Sequence, residues 1–439
     1  MTGTTRLARG SVAVMAALLL TAVPALPGAA ATTTSPDWWW KTYSIDQVHA
    51  EGWTGKGIKI AVIDEQINSQ APALQGTNLT VAKGALCDGP DTTPDTTDFN
   101  EGSVHGTNIT SLLIGNGKSD SGVRGIAPDA QVTFYGAYAS GKQVCGSTDE
   151  RQAGATANDL AARADLSTFG AGVQRAVDDG ADIITTSVGS PEWEMDRIAL
   201  ANAIAKGVIV VGATANPATI TSPNDTFHLN GIVAAAAVDR TGELQPAKGS
   251  EAIADTTVVA AGVDIRATAS MSSWDAPNVT TTGSSNAAPI VAGMLAIAKQ
   301  RYPSATGNQL IQSLITNTGP TAHPLSHTDD GYGYGPAWLT SLLANDPSIY
   351  DDQNPLFSKS LGAPTMEQVN EARQRGYALP EQARSADQYE NGSTDSKNVP
   401  SPFSGLTVAV IVTLGLMIAA GIVTFIIFAA RRSHRKGAA

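Results

Sequence analysis

Between Lys59 and about Leu343, short apolar runs alternate with longer amphipathic stretches. The runs are Ile58 to Ile63, Gln131 to Tyr135, Ile183 to Ser187, Val208 to Val211, Ile232 to Ala237 and Thr257 to Ala260. They are short, rich in β-branched residues and almost unbroken by charge, as strands buried on both faces are. Between them, apolar positions at helical spacing predict helices over Val104 to Gly115, Ala171 to Asp179, Asp196 to Lys206, Ser285 to Arg301 and Gly307 to Thr316. Strands alternating with helices predict an α/β fold: a mostly parallel sheet with helices on both faces. No internal repeat is visible, so one domain of about 300 residues is expected rather than two of about 150.

The two ends break this pattern. Arg6 and Arg9, the apolar run Ser11 to Val23 and the small residues Ala29-Ala30-Ala31 have the layout of a secretory signal over 1–31. A short segment, 32–37, then leads to Trp38-Trp39-Trp40, which read as packing at the domain entrance, and leaves no room for a folded pro-domain. At the other end Leu406 to Ala430 carries no charge, longer than the ~20 residues that cross a bilayer. A single membrane-spanning helix is expected over 404–430. Arg431, Arg432, Arg435 and Lys436 follow, so the tail 431–439 belongs in the cytoplasm and the bulk of the chain outside. Residues 347–403, polar and punctuated by proline, read as a stalk between the domain at 38–346 and the membrane, with a weak helical stretch near Met366 to Arg375.

Composition now narrows the picture. Of 439 residues 42% are apolar and 15% charged, enough for a core and too few charges for a solvated disordered chain. The net charge is −12; without the six basic residues at the two ends, 28 Lys and Arg become 22 against 40 Asp and Glu, or −18 outside the membrane. No basic face for nucleic acid is found. Two cysteines, Cys87 and Cys145, exclude a disulfide-dense scaffold or a Cys-rich zinc module. In an exported chain they are expected to form one disulfide tying two surface loops, with free thiols as the alternative.

Three short motifs stand where open α/β sheets place their chemistry. Asp64 directly follows the buried run Ile60-Ala61-Val62-Ile63. His105 opens a small-residue helix, with Gly106 beside it for close backbone approach. Ser285 starts the Ala-rich helix after Thr282-Gly283-Ser284, where backbone N–H groups and the helix dipole favour developing negative charge. Taken singly, each has an ordinary explanation: a turn-capping Asp, a surface His, an N-cap Ser.

Together, the order Asp, His, Ser in these contexts resembles the subtilisin family of serine proteases, an order distinct from those of chymotrypsin and the α/β-hydrolases. His105-Gly106-Thr107, Gly283-Ser284-Ser285-Asn286-Ala287-Ala288-Pro289, Gly125 to Ala130 and Gly331 to Gly335 are similar to family segments, and the resemblance spans about residues 38 to 343. It implies Ser285 as nucleophile, His105 as general base and acid, and Asp64 as the group orienting His105. Ser187, Val188 and Gly189 would pair with the backbone of an extended polypeptide and line its side-chain pocket. Asn216, before Pro217, would donate to the oxyanion beside the Ser285 N–H. No metal or organic cofactor is implied; structural calcium is common in the family, but no ligand cluster stands out here.

The sequence departs from the family at Glu65-Gln66, where Thr or Ser and then Gly are usual, at Ser284 for Thr and at Ala215 for Gly. All four chemical groups remain. Signal, protease-like domain, polar stalk, membrane helix and basic tail together resemble the mycosins, membrane-anchored subtilases of actinobacterial type VII secretion. An active tethered endopeptidase with secretion-machinery partners is the expectation; a catalytically impaired domain that binds extended segments or scaffolds a membrane complex is the competing one.

Overall fold

The computed structural model describes residues 35–84, 86, 94–136, 166–188, 194–216, 225–245 and 254–379. The expected signal, disulfide, membrane helix and cytoplasmic tail lie outside the described residues, as does Gly189. Among the described residues no helix is long and apolar enough to cross a membrane.

Two short helices, α1 (Trp38–Thr42) and α2 (Ile45–Ala50), lead into strand β1 (Lys59–Asp64). There follow β2 (Leu79–Val81), α3 (Glu101–Ile114), β3 (Gln131–Gly136), α4 (Thr168–Asp178), β4 (Ile183–Thr186), α5 (Glu194–Lys206) and β5 (Ile209–Ala213). The chain continues through β6 (Ile232–Val238), β7 (Val258–Ala261), a small hairpin of β8 (Ile265–Arg266) and β9 (Thr280–Thr281), then α6 (Ser284–Arg301) and α7 (Gly307–Thr316). It closes with α8 (Leu339–Ala344) and α9 (Met366–Gln374). All six predicted strands and all five predicted helices are present; the short strands β2, β8 and β9 and the short helices α1, α2 and α8 are additions.

Seven strands form one sheet in the order β2-β3-β1-β4-β5-β6-β7, every neighbour parallel. Successive side chains on a strand point to opposite faces, and both faces are buried. Ile60 and Val62 join one core layer with α3, α6 and α8; Ala61 and Ile63 join the other with α4 and α5. Trp39 and Trp40 are buried in the first layer, as expected of packing residues. Chain order reverses between β3 and β4, on either side of β1, so the carboxyl ends of β1 and β4 meet at the switch point where α/β sheets open a crevice.

Residues 347–379, expected to begin the stalk, lie instead on the domain as a strap. Leu356, Ala363, Val369 and Ala372 are buried, and α9 packs on α5. Backbone bonds from Asn230 to Ala363 and from Gly231 to Leu356, both 2.7 Å, fasten the strap to the loop before β6. The segment has few apolar residues; Ala363, Val369 and Ala372 join the second core layer and Leu356 the first, while Ile349 and Met366 stay exposed.

Candidate active site

Asp64 ends β1 and is 0% exposed. His105 lies in the second turn of α3, whose start is fixed by a reciprocal cap between Asn100 and Ser103. His105 Nδ1 donates to Asp64 Oδ1 at 2.8 Å, and the Glu65 N–H donates to the same oxygen at 2.7 Å. Asp64 Oδ2 is buried with no hydrogen-bond partner among the described residues. Because an ionised carboxylate only accepts, Nδ1 carries the proton and Nε2 of the neutral ring is the free base. Burial opposes the imidazolium, but the Asp64 charge, its hydrogen bond and the Glu65 charge outweigh that, holding the His105 pKa above its ordinary value. Glu65 itself is pushed above the usual carboxyl range by burial and by Asp64, with His105 pulling the other way and Glu101 adding to the rise.

Ser285 is the second residue of α6. Ser285 Oγ donates to the Ser187 carbonyl at 3.3 Å, and Ser187 Oγ donates to the Ser285 carbonyl at 2.8 Å. The second bond has a cause in the sequence. Pro289 lies inside α6 and has no N–H, so the carbonyl four residues earlier, that of Ser285, has no partner from Pro289. Ser187 supplies the donor and so pins Ser285 to the end of β4. Because Ile63 of β1 pairs with Thr186 of β4, this places Ser285 beside the strand end that carries the Asp64–His105 pair. No hydrogen bond joins His105 to Ser285 among the described residues.

Asn216 follows β5, the next strand along. Its Oδ1 accepts from the Ser284 N–H at 2.9 Å and from Ser284 Oγ at 3.2 Å. A backbone N–H can only donate, which orients the amide: Oδ1 faces Ser284 and Nδ2 faces away, with no partner among the described residues. Ser284 Oγ also bonds the Thr214 carbonyl. The Ser285 N–H, in the first turn of α6, is one of the donors a helix start leaves unpaired. Asn216 Nδ2 and the Ser285 N–H thus remain as donors at the start of α6.

The structure therefore brings Asp64, His105, Ser285, Asn216 and Ser187 to the carboxyl ends of three adjacent strands. Val188 stands at the same edge, half-buried. Gly106 meets its expectation of close approach, since a Cβ there would strike the Gln66 carbonyl and come within 3.0 Å of the Phe134 ring. Sequence reading missed two supports: Ser284 as the lock on Asn216, and Gln66, whose Oε1 accepts from the cap residue Asn100 at 3.0 Å. The available signal was Gly102 and Gly106, one turn apart on the helix carrying His105. Among the described residues no group of three or more His, Cys, Asp or Glu is placed to hold a metal ion.

Comparison with known proteins gives the family and the fold. The subtilase family model matches residues 55–335, and the chain belongs to that family. Subtilisin E of Bacillus subtilis is 28% identical over 289 residues, which is 63% of this chain and 66% of that protein. The chain thus matches just under two thirds of the relative's own length. The solved structure of MycP1 from Mycobacterium smegmatis is similar in fold, with a TM-score of 0.53 at 18% identity, covering 76% of this chain and 89% of that one. A structure of MycP1 from the ESX-1 type VII secretion system is similar too, with a TM-score of 0.53 at 18% identity over 73% of this chain and 88% of that one.

Proposed function

We propose that the chain is a serine endopeptidase tethered to the cell membrane, with its catalytic domain outside and its tail in the cytoplasm. The observation that carries this reading is the 2.8 Å bond between His105 and Asp64 at the end of β1, next to the β4 end that holds Ser285. An extended polypeptide lies along Ser187, Val188 and Gly189. Ser285 Oγ attacks the scissile carbonyl as His105 Nε2 takes its proton, and Asp64 steadies the resulting imidazolium. The oxyanion receives N–H bonds from Asn216 Nδ2 and the Ser285 backbone. Collapse breaks the C–N bond, His105 gives its proton to the leaving amine, and water repeats the sequence to free the new carboxyl group. The motion required first is rotation of the Ser285 hydroxyl from the Ser187 carbonyl towards His105; such bonds often tighten only when substrate is bound. The steps draw on the chain's own groups.

Support for the tether is the uncharged run Leu406 to Ala430 and the basic residues after it. The fold shared with MycP1, which belongs to a type VII secretion system, favours partners in a secretion machine. One experiment tests the activity. The full-length protein, in detergent, is treated with a fluorophosphonate probe beside a Ser285→Ala control. Labelling that depends on Ser285 is expected; its absence from folded protein would sink the protease reading. That outcome would leave a module that binds extended segments, a reading favoured by the Ser285 hydroxyl resting on Ser187 rather than His105.

A further inference from the structure

Glu65 and Gln66 depart from the family pattern, yet both are fitted closely to the helix that carries His105. Gln66 is 4% exposed and grips Asn100, the residue that caps α3. Two residues on, the Asn68 N–H donates to Thr107 Oγ1 at 2.9 Å, a second tie between this segment and α3. The helix has given up side chains to receive them. A Cβ on Gly102 would strike Glu65 Oε2 and lie 2.9 Å from Glu65 Cβ, and one on Gly106 would strike the Gln66 carbonyl. A carboxylate dropped at random beside a helix would not find a glycine under its head and another one turn later under the next residue. The Glu65 backbone is also bound to the site, since its N–H shares Asp64 Oδ1 with His105.

We infer that Glu65 and Gln66 are positioning residues for the reaction: Gln66 fixes the helix that presents His105, and the Glu65 carboxylate tunes the basicity of its imidazole. This rests on the protease reading. The charged groups that face Glu65 are Asp64 behind it and Glu101 and His105 on α3. Only His105 is cationic when protonated, so the Glu65 charge favours the imidazolium and moves the pH at which Nε2 becomes a base upward. Glu65 is itself pushed upward, so the two groups titrate as a coupled pair and the acid limb of activity belongs to both.

The test uses the full-length protein and Glu65→Gln, which keeps the shape and removes the charge. The rate of Ser285 labelling by the fluorophosphonate is followed against pH. In Glu65→Gln the acid limb is expected about half to one pH unit lower. Well below the limb, that raises the rate about 3- to 10-fold. The plateau at high pH should stay within about two-fold, because neutral His105 is the base in both proteins. Gln66→Ala should lower the plateau and leave the limb where it is. A limb that superimposes on that of the parent overturns the proposal. A second measurement separates this from failure of the protease reading. In a Ser285→Ala background, NMR of labelled histidine follows the His105 titration with no need for activity. Its midpoint should fall in Glu65→Gln; an unchanged midpoint overturns the tuning role, whatever Ser285 does with the probe.

Discussion

At the carboxyl edge of the sheet Asp64 and His105 meet at 2.8 Å beside Ser285, and at the amino edge, before β6 and β7, Asp255 and His228 meet at 2.6 Å beside Ser360. The two clusters hold the same three residue types, and in both the carboxylate binds Nδ1; they differ in where the serine sits. In the first the carboxylate takes Nδ1, and Nε2 has no partner among the described residues. In the second Ser360 Oγ bonds both Asp255 Oδ2 and, at 3.1 Å, His228 Nδ1, so serine and carboxylate converge on one nitrogen. There His228 has no role as a base between them. The second cluster is a latch: it closes the seam between the strap and the domain, with the Ser360 N–H on both Asp255 oxygens at 3.2 Å. Lys359 is buried alongside, its Nζ donating to the carbonyls of Phe227 and Asp255 at 3.0 Å. What distinguishes the carboxyl edge is that its serine does not share the nitrogen held by the carboxylate: Ser285 Oγ rests on the Ser187 carbonyl, and the donors Asn216 Nδ2 and Ser285 N–H stand at the same helix start.

The sharpest way to separate the clusters is to remove each serine. Ser285→Ala should cost about a million-fold in peptide hydrolysis, whereas Ser360→Ala should leave the rate unchanged, both read with a chromogenic peptide. Asp64→Asn should lower the rate about 10,000-fold by favouring the wrong tautomer. Its counterpart Asp255→Asn should leave the rate intact and lower stability by about 2–3 kcal/mol, since it removes charged hydrogen bonds, as a urea midpoint would record. Asn216→Ala should cost about 100- to 1,000-fold in rate with little change in stability. Loss of activity in the Asp255 variant, at full folding, would break the comparison.

The smallest effect expected is on pH. The hydrogen bonds from His228 and Ser360 and the Lys359 charge outweigh burial and hold the Asp255 carboxyl at about 2, below its ordinary value. Its contribution to stability is thus complete above about pH 4 and lost as pH falls towards 2. Burial holds Lys359 down at about 7, against the opposing pull of Asp255, while the unfolded chain keeps the ordinary value of 10.5. Between these pH values the unfolded state binds more protons, so stability should rise with pH from about 7 to 10.5 and be flat below. Urea midpoints at pH 7 and 9.5 check the sign, and Lys359→Met should remove this slope.

Much of the active edge was legible because its parts are local: an apolar strand run ending in Asp64, a histidine at a helix start, a serine before an Ala-rich helix. The Pro289 that unpairs the Ser285 carbonyl is visible in the sequence, but its donor, Ser187, lies about a hundred residues away, a non-local pairing that no local pattern encodes. Glu65 and Gln66 look like plain departures until Gly102 is found beneath Glu65. The strap was hidden for a different reason. Its composition is that of a linker, and a lysine such as Lys359 reads as surface because lysine is rarely buried. Strand β2, with three residues, is too short to carry a period.

The latch also sets an order of assembly. A chain made from its amino end delivers β6 and β7 about a hundred residues before Lys359, so the sheet and all four groups of the active edge exist while the seam for the strap is still open. The strap is the last part of the described fold to be made, and seating it needs a lysine to surrender its water to two carbonyls. The groups at one edge are thus made before the segment that seals the other. A chain halted before residue 347 would carry Asp64, His105, Asn216 and Ser285 and lack the latch.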